Sequence, residues 1–284
     1  MVFVTKKKEV IGTLVSISLD EKHKDILKEC FKELKRIENK YSRFLQNSYL
    51  SKLNKNLNKW QDIDDETTYI LKKAIQINKE TKGYFNVCIK KDLEKIGYDS
   101  NYSFKKKILI RNPFGKKGFK ISENKIFLHE EIDIGGLGKG YAVDRLCFIL
   151  DSKSIEDYFI NAGGDIFSKG KHTAYLENPN NSSFVIGEVE IENSSLCSSS
   201  SNRRRWKYGH HLINPHTRKP AENRMKALFI EMNKAIEADA YATGLFCMGF
   251  EKAIEISKEK NLKVILISDN DKIYVSENFN VKFY

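Results

Sequence analysis

Apolar and polar positions change period several times along this 284-residue chain. In residues 9–19, EVIGTLVSISL, Val15, Ile17 and Leu19 alternate with serines, and the stretch predicts one strand. Residues 21–41 move to the helical period, with Ile26, Leu27, Cys30, Phe31, Leu34, Ile37 and Tyr41 on one face. SRFLQNSYLSKLNK then reads as a polar connection. A second helix is predicted over about 65–81, with Asp64 or Asp65 as N-cap and Gly83 as the stop. Ile70, Leu71, Ala74 and Ile75 are its expected inward residues.

Residues 106–128 predict two or three strands, with a hairpin turn at 122–124. A short strand, a glycine turn and a helix over about 137–151 follow. DYFINAGGDI predicts a strand entering a Gly-Gly turn, and VIGEVEIE (185–192) another strand. AIEADAYATGLFCMG (235–249) predicts a helix stopped by Gly249, and LKVILIS with KIYVSE a closing hairpin. Strands and helices are mixed without a regular βαβ repeat, which predicts an α+β fold. No composition shift marks a boundary, so residues 1–284 are expected to form one domain.

Composition narrows the class. Apolar residues are 40% and charged residues 31%, as in globular proteins. The net charge of +11 comes from dispersed lysines rather than a cluster, which argues against nucleic-acid binding. The compact basic run NRRRWK, with Arg203–Arg205, reads as a local anion contact. Five scattered cysteines without a C-x-x-C pair suggest buried free thiols in a reducing compartment. No stretch reaches the ~18 apolar residues of a membrane span. With no signal-peptide pattern at the N-terminus, a cytoplasmic location is expected, or a periplasmic or anchored one if a leader is missing.

Candidate chemistry concentrates at EIDIGGLGKGYAVDRL (130–145). The spacing fits neither a P-loop nor a Rossmann fingerprint. Gly135, Gly136 and Gly138 still let backbone approach a ligand, ahead of a helix N-terminus that favours anions. Lys139 adds a full charge, and Asp133 offers an acceptor for a sugar hydroxyl or ring N–H. A tight turn with a solvated lysine is the plainer alternative. Asp239 and Thr243, at i and i+4 of the predicted helix, share a face among small apolar residues. With a glycine-turn carbonyl they could ligate a hard cation such as Mg²⁺. His210, His211 and His216 lie around Pro215 in a loop unsuited to zinc. A loop histidine there could be a base, an anion contact or only a surface residue. Asp165, after the Gly-Gly turn, is another acceptor.

Taken in order, these stretches resemble the ApbE family, the FAD:protein FMN transferases. IGTLVSI (11–17), YSRFLQNSYLSKLN (41–54), GYFNV (83–87) and EKIGYD (94–99) match its N-terminal half. DIGGLGKGYAVDRL (133–146), NAGGDI (161–166), HLINPHT (211–217) and ADAYAT (238–243) match its four strongest motifs. Asn214 and Arg218 replace the family's usual Asp and Gly. The resemblance implies a T-fold-like domain with mixed sheets and packed helices. It implies Mg²⁺ on the Gly136 carbonyl, Asp239 and Thr243. It implies FAD lined by Ile11, Phe44, Ile96, Gly97, Tyr98, Asp133, Lys139 and Leu212, with His211 and Lys139 catalytic. The implied reaction moves FMN from FAD to a Thr or Ser of an acceptor flavoprotein with a D-G-x-[ST]-G-A-T motif and releases AMP. An FAD pyrophosphatase and a non-catalytic FAD carrier are the alternatives. A monomer or homodimer is expected.

Overall fold

The N-terminal stretch predicted as one strand is a hairpin. β1 (Phe3–Val10) and β2 (Thr13–Asp20) pair antiparallel across Ile11 and Gly12. Both turn residues have positive φ, 52° and 73°, matching the right-handed twist of the flanking strands. Isoleucine is disfavoured there, and its N–H is held by Glu38 Oε1 at 2.9 Å. The turn is masked in the sequence because β1 is a lysine-rich edge strand with almost no buried residue.

The computed structural model describes residues 2–105, 118–202, 204–207, 209–222 and 224–284. After the hairpin come α1 (Ile26–Tyr41), α2 (Tyr49–Lys55), β3 (Trp60–Asp62), α3 (Asp65–Glu80) and α4 (Lys90–Lys95). β4 (Phe119–Ser122) and β5 (Lys125–Leu128) form the predicted hairpin, while residues 106–117 lie outside the described residues. Next are α5 (Gly138–Asp151), β6 (Tyr158–Ala162), β7 (Asp165–Glu177) and β8 (Val185–Ser200). Four two-residue strands follow: β9 (Arg205–Trp206), β10 (Gly209–His210), β11 (Ile213–Asn214) and β12 (Lys219–Pro220). The chain closes with β13 (Met225–Met232), α6 (Ala235–Met248), α7 (Phe250–Glu259), β14 (Lys263–Ser268), β15 (Ile273–Val275) and β16 (Lys282–Phe283).

The architecture is α+β, as expected. Nine strands form an antiparallel sheet in the order β1-β2-β6-β7-β8-β13-β14-β15, with β16 beside β8. The main core joins β2 and β6 to α1, α3, α5 and α6, and α6 is buried nearly all round. A second core, including Ile166, Leu196 and Phe229, involves β7, β8, β13 and β14. The connection read as polar contains α2, capped by Ser48 Oγ accepting the Ser51 N–H at 3.0 Å. On α3, capped by Asp64, the buried stripe includes Ile70, Leu71, Ala74 and Ile77. Ile75 lies beyond its edge and is 44% exposed, so the inward assignment fails there. No helix among the described residues is long and apolar enough to cross a membrane. All five cysteines are buried.

Glu66 ties α3 to its neighbours. Burial alone would raise its pKa, but hydrogen bonds from Arg36, Lys40 and Tyr141 outweigh that and hold it at about 2, against 4.5 ordinarily. A carboxylate depressed in the folded state stabilises above its unfolded pKa, and that contribution fades as pH falls from 4.5 towards 2. Glu66→Gln should cost about 1–2 kcal/mol at pH 7, with solvent limiting the gain from the pairs. Urea unfolding across that pH window checks this: the two proteins should converge in acid, and a constant gap would contradict the assignment.

Candidate active site at the glycine loop

The loop before α5 closes on itself. The Ile134 carbonyl accepts the N–H groups of Leu137 and Gly138 at 3.1 and 2.8 Å. At the start of α5, the Gly140 N–H donates to Asp239 Oδ2 of α6 at 3.0 Å. A carboxylate thus satisfies a first-turn donor and meets the positive end of the helix dipole. The arrangement is reciprocal. Asp144 of α5 accepts the N–H groups of Ala235 and Ile236, at 2.9 and 3.1 Å, at the start of α6. Gly140 makes the approach possible, because a Cβ there would overlap the Ala235 carbonyl.

Lys139 stands between two buried carboxylates. Its Nζ pairs closely with Asp165, the first residue of β7, and with Asp239 Oδ1 at 3.2 Å. Burial disfavours the ammonium, but Asp165 and Asp239 outweigh it and its pKa is raised. Burial pushes the Asp239 carboxyl up and Asp165 adds to this, while Lys139 and the Gly140 N–H hold it back. One turn along α6, Thr243 Oγ1 faces the Gly136 carbonyl at 3.5 Å. Gly136, Lys139, Asp239 and Thr243, which are separated in sequence, therefore meet at the α5–α6 junction, together with Asp165.

The two adjacent histidines have different environments. His210 is a structural residue: its Nδ1 accepts the Leu212 N–H at 3.2 Å, so its Nε2 donates to the Ala221 carbonyl at 3.0 Å. His211 Nδ1 is buried and has no hydrogen-bond partner. Burial drives the His211 pKa well below 6.5, with Arg204, His210 and Lys139 adding to the effect. The imidazole is neutral at pH 7 and has a free nitrogen. His216 lies apart, with its ring against Tyr84 and Nε2 near the Lys82 carbonyl.

Beside His211 stands an aromatic wall. Tyr98 meets His211 and Phe44 edge to face, with centroids 6.4 and 5.6 Å apart, and Tyr102 stacks on Phe44 at 4.8 Å. The Ile96 carbonyl accepts the Trp206 indole N–H at 2.8 Å. Gly97 is required between Ile96 and Tyr98: its φ is 89°, and a Cβ would overlap the backbone of Phe104 and Lys105. Arg204 donates to the Tyr98 hydroxyl at 2.8 Å and to the Gly12 carbonyl at 3.2 Å, bringing the Ile11–Gly12 turn to this wall. Leu212 is buried in the main core. Asp133, expected to face a ligand, accepts the Gly135 N–H at 2.9 Å and pairs with Arg43 at 3.1 Å.

Arg43 was not among the sequence candidates. Its guanidinium lies 4.2 and 4.7 Å from the Phe44 and Tyr98 ring centroids and donates to the Tyr98 carbonyl at 2.8 Å. The only sequence signal is its place between Ser42 and Phe44, where the family pattern leaves the residue open. Asp144 was missed because a capping carboxylate in mid-helix carries no spacing signal. Arg203 lies outside the described residues. Arg218, at φ 60°, replaces the family's glycine and takes a second task, pairing with Asp92 and Glu130 at 3.1 and 3.3 Å.

Fold and site together define an α+β enzyme, and the comparisons put it among the transferases. The model of the ApbE family matches residues 11–266, and the chain belongs to that family. It is 24% identical over 272 residues to a Haemophilus influenzae protein named FAD:protein FMN transferase, covering 86% of this chain and 79% of that one. A Buchnera aphidicola protein of the same name is 27% identical, with 82% and 76% covered. The crystal structure of the ApbE protein from Thermotoga maritima superposes with a TM-score of 0.88 at 25% identity, covering 97% of both chains.

Proposed function

We propose that the protein transfers FMN from FAD to the hydroxyl of a Thr or Ser in an acceptor flavoprotein and releases AMP. The observation that carries this reading is the neutral His211, with a buried, unpartnered Nδ1, within the field of Lys139. The hydroxyl oxygen attacks the FMN-side phosphorus, the bridging P–O bond breaks, and AMP leaves with the bridging oxygen. His211 takes the hydroxyl proton. Lys139 offsets the charge that builds on the phosphoryl oxygens. The aromatic wall of Phe44 and Tyr98 offers stacking faces for a flavin or adenine ring.

The oxygen donors suit a hard cation. Gly136 O and Thr243 Oγ1 are already neighbours, and Asp239 adds one carboxylate beside them. Among the described residues no group of three or more His, Cys, Asp or Glu could hold a metal, so this is not an all-protein cage. Mg²⁺ is commonly held by one or two carboxylates with substrate phosphates completing its shell. Bound to Gly136, Asp239 and Thr243, it would neutralise pyrophosphate charge.

The test uses purified protein, FAD and Mg²⁺, with and without an acceptor domain carrying D-G-x-[ST]-G-A-T. AMP release and the intact mass of the acceptor are read. The expected result is an acceptor heavier by one FMN. AMP and free FMN beside an unmodified acceptor would replace the reading with an FAD pyrophosphatase. Bound FAD without AMP would leave a flavin carrier.

A further inference from the structure

Arg218 sits in the turn between β11 and β12, a short way along the chain from His211. Its φ of 60° lies in the left-handed region, which glycine enters freely and a side chain enters at a cost. Such a conformation persists where the surroundings over-determine it. The Arg218 N–H donates to the Asn214 carbonyl at 2.7 Å and closes the turn. The guanidinium then reaches out of the hairpin. Its Nη1 donates to the Cys88 carbonyl at 2.6 Å and to Asp92 Oδ2 at 3.1 Å, and its Nη2 donates to Glu130 Oε2 at 3.3 Å. The Asp92 side chain is 4% exposed, so this pairing is shielded from solvent and salt.

The clasp gathers three segments of the site. Cys88 and Asp92 lie at the entry to α4, and the chain leaving α4 carries Ile96, Gly97 and Tyr98. Glu130 leads into Asp133 and the glycine loop. The hairpin is joined at its base to the histidine segment: the Ala221 N–H donates to the Leu212 carbonyl at 2.9 Å, and the Ala221 carbonyl accepts from His210 Nε2 at 3.0 Å. Ile213 of β11 is buried with Leu93, Ile96 and Tyr98. We infer that Arg218 is a positioning residue that sets His211 against the aromatic wall, where a small shift in reacting geometry is costly in rate. The glycine usual at this position has no side chain for that task. The wall itself has other supports, since Arg43 holds the Tyr98 carbonyl and Trp206 the Ile96 carbonyl. Losing the clasp therefore loosens the hairpin and leaves FAD binding in place. This inference rests on the transferase reading above.

The test compares wild type with Arg218→Gly, Arg218→Lys and Arg218→Gly/Asp92→Asn, using FAD, Mg²⁺ and the acceptor domain carrying D-G-x-[ST]-G-A-T. Arg218→Gly relieves the backbone and removes the clasp. The double variant also removes the buried carboxylate charge, and serves where the single variant does not fold. Circular dichroism and Tm check folding, and rates are read well below the lowest Tm. In Arg218→Gly and in the double variant kcat should fall about tenfold, with the Kd for FAD within about twofold of wild type. Arg218→Lys should recover part of kcat, because it keeps the charge but lacks the planar fork that spans these acceptors. A purely structural role would lower Tm and leave kcat of the folded protein unchanged, and that result overturns the assignment. A loss carried by FAD affinity with kcat intact overturns it too, and both outcomes leave the transferase reading standing. A wild type that binds FAD but never modifies the acceptor removes the transferase reading, and the positioning role with it.

Discussion

His211→Ala should lower FMN transfer by about 10²–10⁴-fold, the range for loss of a general base. FAD affinity should hardly change, because the ring is proposed to act on the hydroxyl proton. Stability should fall only a little, because the lost edge-to-face contact with Tyr98 is partly offset. The variant discards a buried nitrogen without a partner, and leaving such a group unpaired costs free energy in the folded state. A purely structural histidine would behave in the opposite way, with Tm falling and the rate falling only in proportion to unfolded protein. The pH profile supplies the second readout. His211 is held well below 6.5 by burial and by nearby positive charge, so it stays unprotonated as pH falls through 6.5. The acid limb of kcat/KM attributable to this group should lie well below 6.5 and should vanish in His211→Gln. Steady-state rates from pH 5 to 8 with thermal melts decide it. An alanine variant that keeps full activity removes His211 from the mechanism.

Asp239 carries the second large effect. Asp239→Ala should lose about 10²–10³-fold in AMP release, comparable to removing one preorganised electrostatic group. The alanine also strips the acceptor from the Gly140 N–H and one carboxylate from Lys139, so some loss of Tm is expected. Asp239→Asn separates the two roles. Its amide oxygen can still accept from Gly140, so Tm should recover, while the missing charge should leave the rate low and the Mg²⁺ requirement raised. AMP release measured across a Mg²⁺ titration checks both variants. An asparagine enzyme with wild-type Mg²⁺ dependence would rule out Asp239 as a cation ligand.

Long periodic elements were the legible part of this fold. The α1 face from Leu27 to Tyr41 and the stop of α6 at Gly249 follow from spacing and end signals alone. Less legible were elements whose order comes from partners. β1 shows no burial alternation because it lies at the sheet edge and residues Thr5–Glu9 are exposed on both faces. The sequence expectation stops β8 near residue 192, yet it runs to Ser200 because β13 and β7 flank the serine-rich half. α2 and the short strands β9–β12 are too brief for a periodic signal, and α7 and β13 were not among the expected elements. For the site, residue types pointed to Lys139, Asp239 and Thr243, and the junction brings them together. The resemblance named His211 rather than His210, but the physical difference between the two rings needed three dimensions. Only the fold shows that Leu212 and Ala221 occupy both nitrogens of one ring and leave Nδ1 of the other unpaired.

The backbone contact at Gly140 has a mechanical consequence. α5 and α6 each contribute the carboxylate that serves the other's first turn, and their backbones touch where Gly140 meets Ala235. Such a pair moves as a single lever. A displacement of one helix start is resisted by both carboxylate contacts and by the backbone packing at Gly140.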